Sequence, residues 1–260
     1  MSDYSARFTF VRKFDKDLQQ TVNSSLPYSA YTQSVNVLDV GPDNVSGTAD
    51  DRQIPVFSVP KTDSRFGERT DFRTNVEGAG SNYTSFEGSF NKRMSDGWMM
   101  LFSYNHDFVD TRSSMPMNPN ADIYEDDRGF YQWAFKVMST VELPYGINFA
   151  PVWKSQKGRQ FDRTVRIRDA NNSSVTLTVA RDGEEARGGG TYGNVHMMDF
   201  RVSKTFDIND RHSVEAMFDY FNVFNGNTIT SQGNRNGSTF HRPSQILGPS
   251  IFRLGARWKF

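Results

Sequence analysis

Residues 250–260 read SIFRLGARWKF, and their side chains alternate strictly between two kinds. The even positions from Phe252 to Phe260 are apolar, whereas the odd positions from Arg253 to Lys259 carry Arg, Gly, Arg and Lys. Successive side chains of a β-strand point to opposite faces, so this segment predicts a strand with one apolar and one polar face. A strand of a soluble β-sandwich has the same pattern, so the segment alone does not identify its surroundings.

The same alternation recurs along the chain, less cleanly at 83–93 and 147–153. No window shows the sustained 3.6-residue periodicity and caps of a helix. The fold class predicted is therefore all-β. We predict eight strands, and they lie within residues 6–13, 83–93, 98–108, 133–143, 147–153, 198–203, 214–221 and 250–260.

The connections between these segments alternate in length. Short turns rich in turn-forming residues are expected at 95–97, 144–146 and 207–211. Long polar stretches occupy about 14–81, 111–128, 155–193 and 225–249. Short periplasmic turns and long extracellular loops are typical of an antiparallel up-and-down transmembrane β-barrel in the bacterial outer membrane. A soluble β-sandwich has less reason to sort its loops in this way.

Composition restricts the classes of function. Lys plus Arg and Asp plus Glu both number 30, which argues against a nucleic-acid partner, and the absence of cysteine excludes thiol catalysis and cysteine-based metal sites. Mean hydropathy is −0.64, but a barrel needs apolar residues only at alternate positions. Aromatic residues cluster near the predicted strand ends, as expected at the boundary between lipid and water. They are Trp98, Phe108, Tyr131, Trp133, Tyr145, Trp153, Phe206, Trp258 and Phe260.

Four stretches carry a family resemblance: 90–98 (FNKRMSDGW), 142–147 (ELPYGI), 219–225 (DYFNVFN) and 253–260 (RLGARWKF). In this order and spacing, the chain resembles the C-terminal β-barrel of TonB-dependent outer-membrane receptors, especially their Oar-like branch. The resemblance implies uptake of a scarce, unidentified solute across the cell outer membrane of a Gram-negative bacterium. It also implies that Trp258 and Phe260 belong to the terminal signal read by the barrel-assembly machinery.

Family members also carry a signal peptide, a TonB-contacting segment, a plug and about 22 strands. None of the first three is expected in residues 1–260, so we expect the C-terminal part of a larger barrel, which engages the TonB system only within a longer chain. One alternative is a small independent eight-stranded outer-membrane barrel with a structural or adhesive role. The other is a soluble β-sandwich.

Charged residues on the polar side of the predicted strands suggest either a solute path or a structural lattice of ion pairs, and we favour the lattice. Asp199 or Asp219 could pair with Arg201 or Arg257 across neighbouring strands. The candidates are Arg7, Lys136, Glu142, Asp199, Arg201, Glu215, Asp219, Arg253 and Arg257.

Residues 39–51 combine Asp39, Asp43, Asp50 and Asp51 with glycine and asparagine. Calcium binds several oxygen ligands on a tightly turning chain, so this loop is a candidate calcium site, with a solvated acidic turn as the alternative. No other metal or cofactor is expected. Aromatic residues of the long loops could contact a ligand, or those loops could be disordered. The four histidines lie far apart and no nucleophile motif occurs, so we do not expect an enzyme.

Overall fold

The structure is a computed structural model that describes residues 3–112, 119–122, 129–179 and 190–260. Its helices are the short α1 (Pro119–Asp122) and the 3-10 turns Tyr28–Ala30 and Pro144–Gly146. Its strands are β1 (Tyr4–Lys16), β2 (Gln19–Asn23), β3 (Gln33–Asp39), β4 (Arg52–Ser58), β5 (Asp71–Asn75), β6 (Gly80–Ser95), β7 (Trp98–Arg112), β8 (Phe130–Leu143), β9 (Ile147–Gln156), β10 (Gln160–Phe161), β11 (Arg163–Arg168), β12 (Ser174–Val179), β13 (Gly190–Thr191), β14 (Val195–Asn209), β15 (His212–Phe221), β16 (Ile229–Gln232), β17 (Pro243–Ile246) and β18 (Ile251–Lys259).

Eight of these strands form one antiparallel sheet in the order β1-β6-β7-β8-β9-β14-β15-β18. Each predicted strand segment coincides with one of them, except that residues 250 and 260 lie just outside β18. The all-β class and the eight strands of the large sheet are therefore confirmed, whereas the other ten strands were not predicted. The predicted closure is not present in the described residues: β1 and β18 are the two edges of the sheet and do not pair with each other. The architecture established here is therefore an open, antiparallel eight-stranded sheet.

The short turns fall at one end of the sheet, where they were predicted. Asp96 and Gly97 have φ of 51° and 79°, and Tyr145 and Gly146 have φ of 66° and 68°. Such left-handed backbone is typical of tight hairpin turns. All the long connections leave from the opposite end of the sheet.

The strand register gathers the apolar positions of all eight strands on one surface, which we call the apolar face. Directly opposed residues of an antiparallel pair share a face. All four tryptophans lie on it, and Phe8 and Leu254 are 71% and 75% exposed. One row across six strands consists of Ala6, Phe90, Phe102, Val137, Trp153 and Met198.

At both ends of the strands, basic residues of the apolar face lie beside aromatic rings. At the turn end, Lys92 is fully buried: its ammonium donates to the Ser95 and Trp98 carbonyls and lies 4.2 Å from the Trp98 ring centroid. At the other end, the Arg12 guanidinium lies 4.8 Å from the Phe14 ring centroid. Such aromatic and basic pairs suit a boundary between apolar and aqueous surroundings.

The buried hydrophobic core lies in the long connections and not on the large sheet. Ile54, Val56, Val165, Leu177 and Val179 are at most 4% exposed and pack in one cluster. The interpretation of these connections as disordered is therefore wrong for their described parts. We call residues 17–79, 119–122, 157–179, 190–194 and 222–250 together the loop cap.

No helix in the described ranges has the length and apolar character needed to cross a membrane.

Candidate functional site

The loop cap is built around two hairpins that come from different connections. The β3–β4 hairpin contributes Ile54 and Val56, and the β11–β12 hairpin contributes Val165, Leu177 and Val179. Both hairpins have alternating sequences, with Val35 and Val37 in one and Ile167 and Val175 in the other packed against the same core. This period-two signal was present in the sequence, but the predominance of polar residues around it obscured the hairpins.

A buried ion pair joins the hairpins. Arg163, at the start of β11, donates to both carboxylate oxygens of Asp39, at the end of β3, over 2.6 and 2.8 Å. The Arg52 Nε and the Gly41 N–H donate to the same carboxylate. Burial alone would raise the pKa of Asp39, but the bonds and charge of Arg163, with Arg52 and Gly41, outweigh it and lower that pKa.

The last long connection joins the same centre. The Asn236 side chain accepts from Arg163 and donates to the Gly41 carbonyl. Beside it, Asn44 and Gly237 exchange two hydrogen bonds of 2.8 and 3.2 Å. Sequence reasoning identified neither Arg163 nor Asn236, because their partners are distant in the chain.

The second long connection is attached to β4 through α1. The Asn120 side chain accepts from the Phe57 N–H and donates to the Phe57 carbonyl, which occupies both backbone groups of that residue. The described parts of all four connections therefore form one packed unit above the sheet.

The candidate calcium loop has another role for its first carboxylate. Both Asp39 oxygens are bound by guanidinium groups, so Asp39 is not placed as a cation ligand. Asp50 and Asp51 accept from the Asp43 and Gly47 N–H groups. Among the residues that the structure describes, no group of three or more acidic, histidine or cysteine side chains is arranged to hold a metal ion. Calcium binding stays a prediction, and this geometry does not support it.

The second candidate region is the surface of the sheet opposite the apolar face, which we call the polar face. Near β18 it carries the predicted lattice. Asp219 accepts from Arg201 at 2.6 Å and from Arg253 at 2.8 Å, and Glu215 lies 3.6 Å from Arg257. Asp199 was expected to pair with arginine, but it lies where β14 meets the loop cap and accepts the Asn222 N–H instead.

Two other predicted charges, Arg7 and Lys136, lie on the part of the polar face nearer to β1. Arg7 donates to the Thr9 hydroxyl, and Arg7 and Lys136 are both exposed. Glu142 lies at the turn end, where its backbone N–H donates to the Gly97 carbonyl. The structure does not bring these three charges together with the Asp219 cluster.

Trp258 and Phe260, the predicted assembly signal, lie at the turn end of the chain's last strand and are 65% and 94% exposed. Their ring centroids lie 6.4 Å apart. Recognition by the assembly machinery stays a prediction. Comparisons of the chain with protein-family models, curated proteins and solved structures gave no significant match.

Proposed function

We propose that this chain is the C-terminal barrel portion of a TonB-dependent outer-membrane receptor that takes up a scarce solute. The observation that carries the proposal is the apolar face, an exposed aromatic and aliphatic surface that extends across all eight strands. In the proposal this surface contacts lipid, the polar face lines the lumen and the loop cap lies outside the cell.

Strand length and the exposed surface support this arrangement. The sheet strands contain between 9 and 16 residues, and a strand needs about 9–11 residues to cross a bilayer. In water, contiguous apolar patches larger than a few hundred Å² promote association or aggregation. In a bilayer the same residues are in their preferred medium.

The two edges of the sheet support a larger closed barrel. Within the described residues, the outer sides of β1 and β18 have no strand partner. Unpaired backbone N–H and C=O groups are costly in lipid, so each edge is expected to pair with a further strand. Closure of these eight strands alone would instead give a small barrel filled by side chains.

The loop cap gives the proposed receptor an ordered outer surface. Its hairpins are fixed by an apolar core and by the Asp39–Arg163 pair, so solute-contacting side chains would be held in place before binding. Such preorganisation lowers the entropic cost of binding.

Location and size can be measured with an antibody against residues 253–260. The proposal predicts a band well above 29.7 kDa in the outer-membrane fraction. A heat-modifiable band near 29.7 kDa there would support the small independent barrel and exclude the transporter. Recovery in the soluble fraction would exclude both.

Orientation can be measured with single cysteines introduced into residues 1–260, which contain none of their own. Val45 in the loop cap and Tyr145 in a turn are 54% and 87% exposed, so Val45→Cys and Tyr145→Cys are matched reporters. On intact cells, an impermeant maleimide should label only Val45→Cys. Labelling of Tyr145→Cys before permeabilisation would contradict the proposed orientation.

A further inference from the structure

The charges of the polar face fall into two groups. On β14, β15 and β18, Arg201, Arg253 and Arg257 all have carboxylate partners. Within the described residues, the structure records no ion pair for Arg7, Lys136 or Lys154, on β1, β8 and β9. The second group therefore carries three positive charges that form no ion pair in the described fold.

These three cations lie in one register row. Arg7 opposes Ser89, Ser89 opposes Ser103, Ser103 opposes Lys136, and Lys136 opposes Lys154. We call these five residues the cationic row. All three charged side chains are exposed, and serine hydroxyls occupy the two positions between Arg7 and Lys136.

Like charges directly opposite each other destabilise a sheet, so the Lys136–Lys154 pair works against the fold. The carboxylates in the adjacent rows form no ion pair with these cations in the described part of the chain. Glu87 opposes Thr9 and forms no recorded ion pair, and Asp199 accepts the Asn222 N–H at 2.8 Å. A purely structural lattice, such as the one around Asp219, would place an acid opposite a lysine.

The cationic row also adjoins a concave surface. A depression of about 260 Å³ on the sheet is lined by Arg7, Thr9, Glu87, Ser89, Ser103 and Asn105, among others. Lys136 is the next residue of the row beyond Ser103. The recess itself holds one cation, Arg7, and one carboxylate, Glu87, together with hydroxyl and amide groups. Lys136 and Lys154 lie beyond it in the same row.

We propose that the cationic row binds a carboxylate or phosphate group of an anionic solute. This deepens the proposed function, on which it rests, by giving the solute its chemical class. Neighbouring strands are about 4.8 Å apart, so Lys136 and Lys154 can both reach one anionic group. Arg7 lies three strands from Lys136, roughly 14 Å away, where it can contact a second polar or anionic group of the same solute.

The test is calorimetric titration of the purified full chain in detergent micelles at low salt, with citrate and with inorganic pyrophosphate as separate probes. We expect one or both to bind, and their relative affinity distinguishes carboxylate from phosphate recognition. In the double variant Lys136→Gln/Lys154→Gln, the dissociation constant should rise by about tenfold or more. Because the variant removes a repulsion, its thermal unfolding midpoint without probe should be no lower than that of the parent.

Two lysine-to-glutamine changes elsewhere on the sheet form the matched control. Lys259→Gln on the polar face, where Lys259 lies 3.7 Å from Glu215, is combined with Lys204→Gln on the apolar face. This control removes the same formal charge and should leave probe affinity unchanged.

Three results would overturn the proposal: no binding of either probe, equal affinity in parent and double variant, or clear destabilisation of the double variant. Failure of the proposed function is measured separately. If the chain fractionates with the outer membrane but binds neither probe, only the proposed anion site is contradicted. If the chain is recovered as a soluble protein but still binds a probe through the two lysines, the proposed membrane function is contradicted and the anion site is supported.

Discussion

Asp39 and Arg163 lie 124 positions apart, yet they form a two-bond ion pair in which each side chain is at most 4% exposed. The pair joins the first and third long connections of the sheet, and Asn236 adds the fourth. Its position suggests that the loop cap depends on this contact more than on any surface ion pair, because exposed pairs contribute about 0–1 kcal/mol.

Arg163→Met should destabilise the loop cap by about 3 kcal/mol. Removal of one partner of a buried pair costs ~3–5 kcal/mol, and Arg52 still binds the remaining carboxylate, so the lower end is expected. Faster hydrogen exchange of the Val56 and Val179 amides, with unchanged exchange in β7 and β8, would show this.

Arg166→Met on the same strand is the control, because Arg166 is exposed and donates to the Ser174 hydroxyl. Its effect should be below about 0.5 kcal/mol. Equal effects of the two substitutions would contradict the role given to Arg163.

Acid should loosen the loop cap. The pKa of Asp39 is lowered in the folded protein, so its contribution is fully present above the unfolded value of about 3.9 and is lost as pH falls through the folded value. Exchange of loop-cap amides, corrected for the intrinsic pH dependence, should therefore increase relative to sheet amides below about pH 4. In Asp39→Asn this additional acid sensitivity should disappear. If it persists there, another group is responsible.

Leu254→Arg distinguishes lipid from water around the apolar face. In a bilayer it should cost ~2–4 kcal/mol near the midplane, and Phe218→Arg on the same face should behave alike. In water, an arginine at a 75% exposed position should change stability by less than about 0.5 kcal/mol.

Glu215→Gln on the polar face is the control for Leu254→Arg and Phe218→Arg. It keeps the side-chain size and weakens only long contacts, 3.6 Å to Arg257 and 3.7 Å to Lys259, and a charge interaction with Arg201, so its effect should be much smaller. Urea unfolding in lipid vesicles measures all three variants. Equal losses on both faces would make the face assignment wrong.

Lys92→Met should destabilise the β6–β7 turn by about 1.5–3 kcal/mol, since hydrogen bonds from a charged donor contribute this much. The ammonium donates to two carbonyls and to the Ser95 hydroxyl within 2.9 Å. Lys204→Met on the same face is the control, because Lys204 lies 5.2 Å from the Phe206 ring centroid without such a cage. The midpoint of unfolding measures the difference between the two variants. Equal midpoints for Lys92→Met and Lys204→Met would contradict the structural role of Lys92.

Local sequence patterns were sufficient for the large sheet. Alternation such as that from Phe252 to Phe260 predicts both the strand and its faces, and the turns at Asp96 and Tyr145 follow from turn chemistry. The pairing of Arg201 with Asp219 was also accessible, because adjacent strands joined by a short turn have a constrained register.

The loop cap could not be predicted in the same way. Contacts such as Asn44 to Gly237 join residues 193 positions apart, and no local periodicity encodes them. The calcium hypothesis was built on the local clustering of carboxylates with glycine and asparagine, whereas in the fold Asp39 is bound by two guanidinium groups. Closure of the sheet also depends on edge pairing, which strand patterns do not specify.

The most direct measurement of the central claim uses the chain's own fluorescence. All four tryptophans, Trp98, Trp133, Trp153 and Trp258, lie on the apolar face, so no substitution is required. With the folded protein in vesicles, lipids brominated on their acyl chains should quench most of the tryptophan emission, and aqueous acrylamide should quench little. Strong quenching by acrylamide with none by brominated lipid would show that the face does not contact lipid, and the outer-membrane account would be wrong.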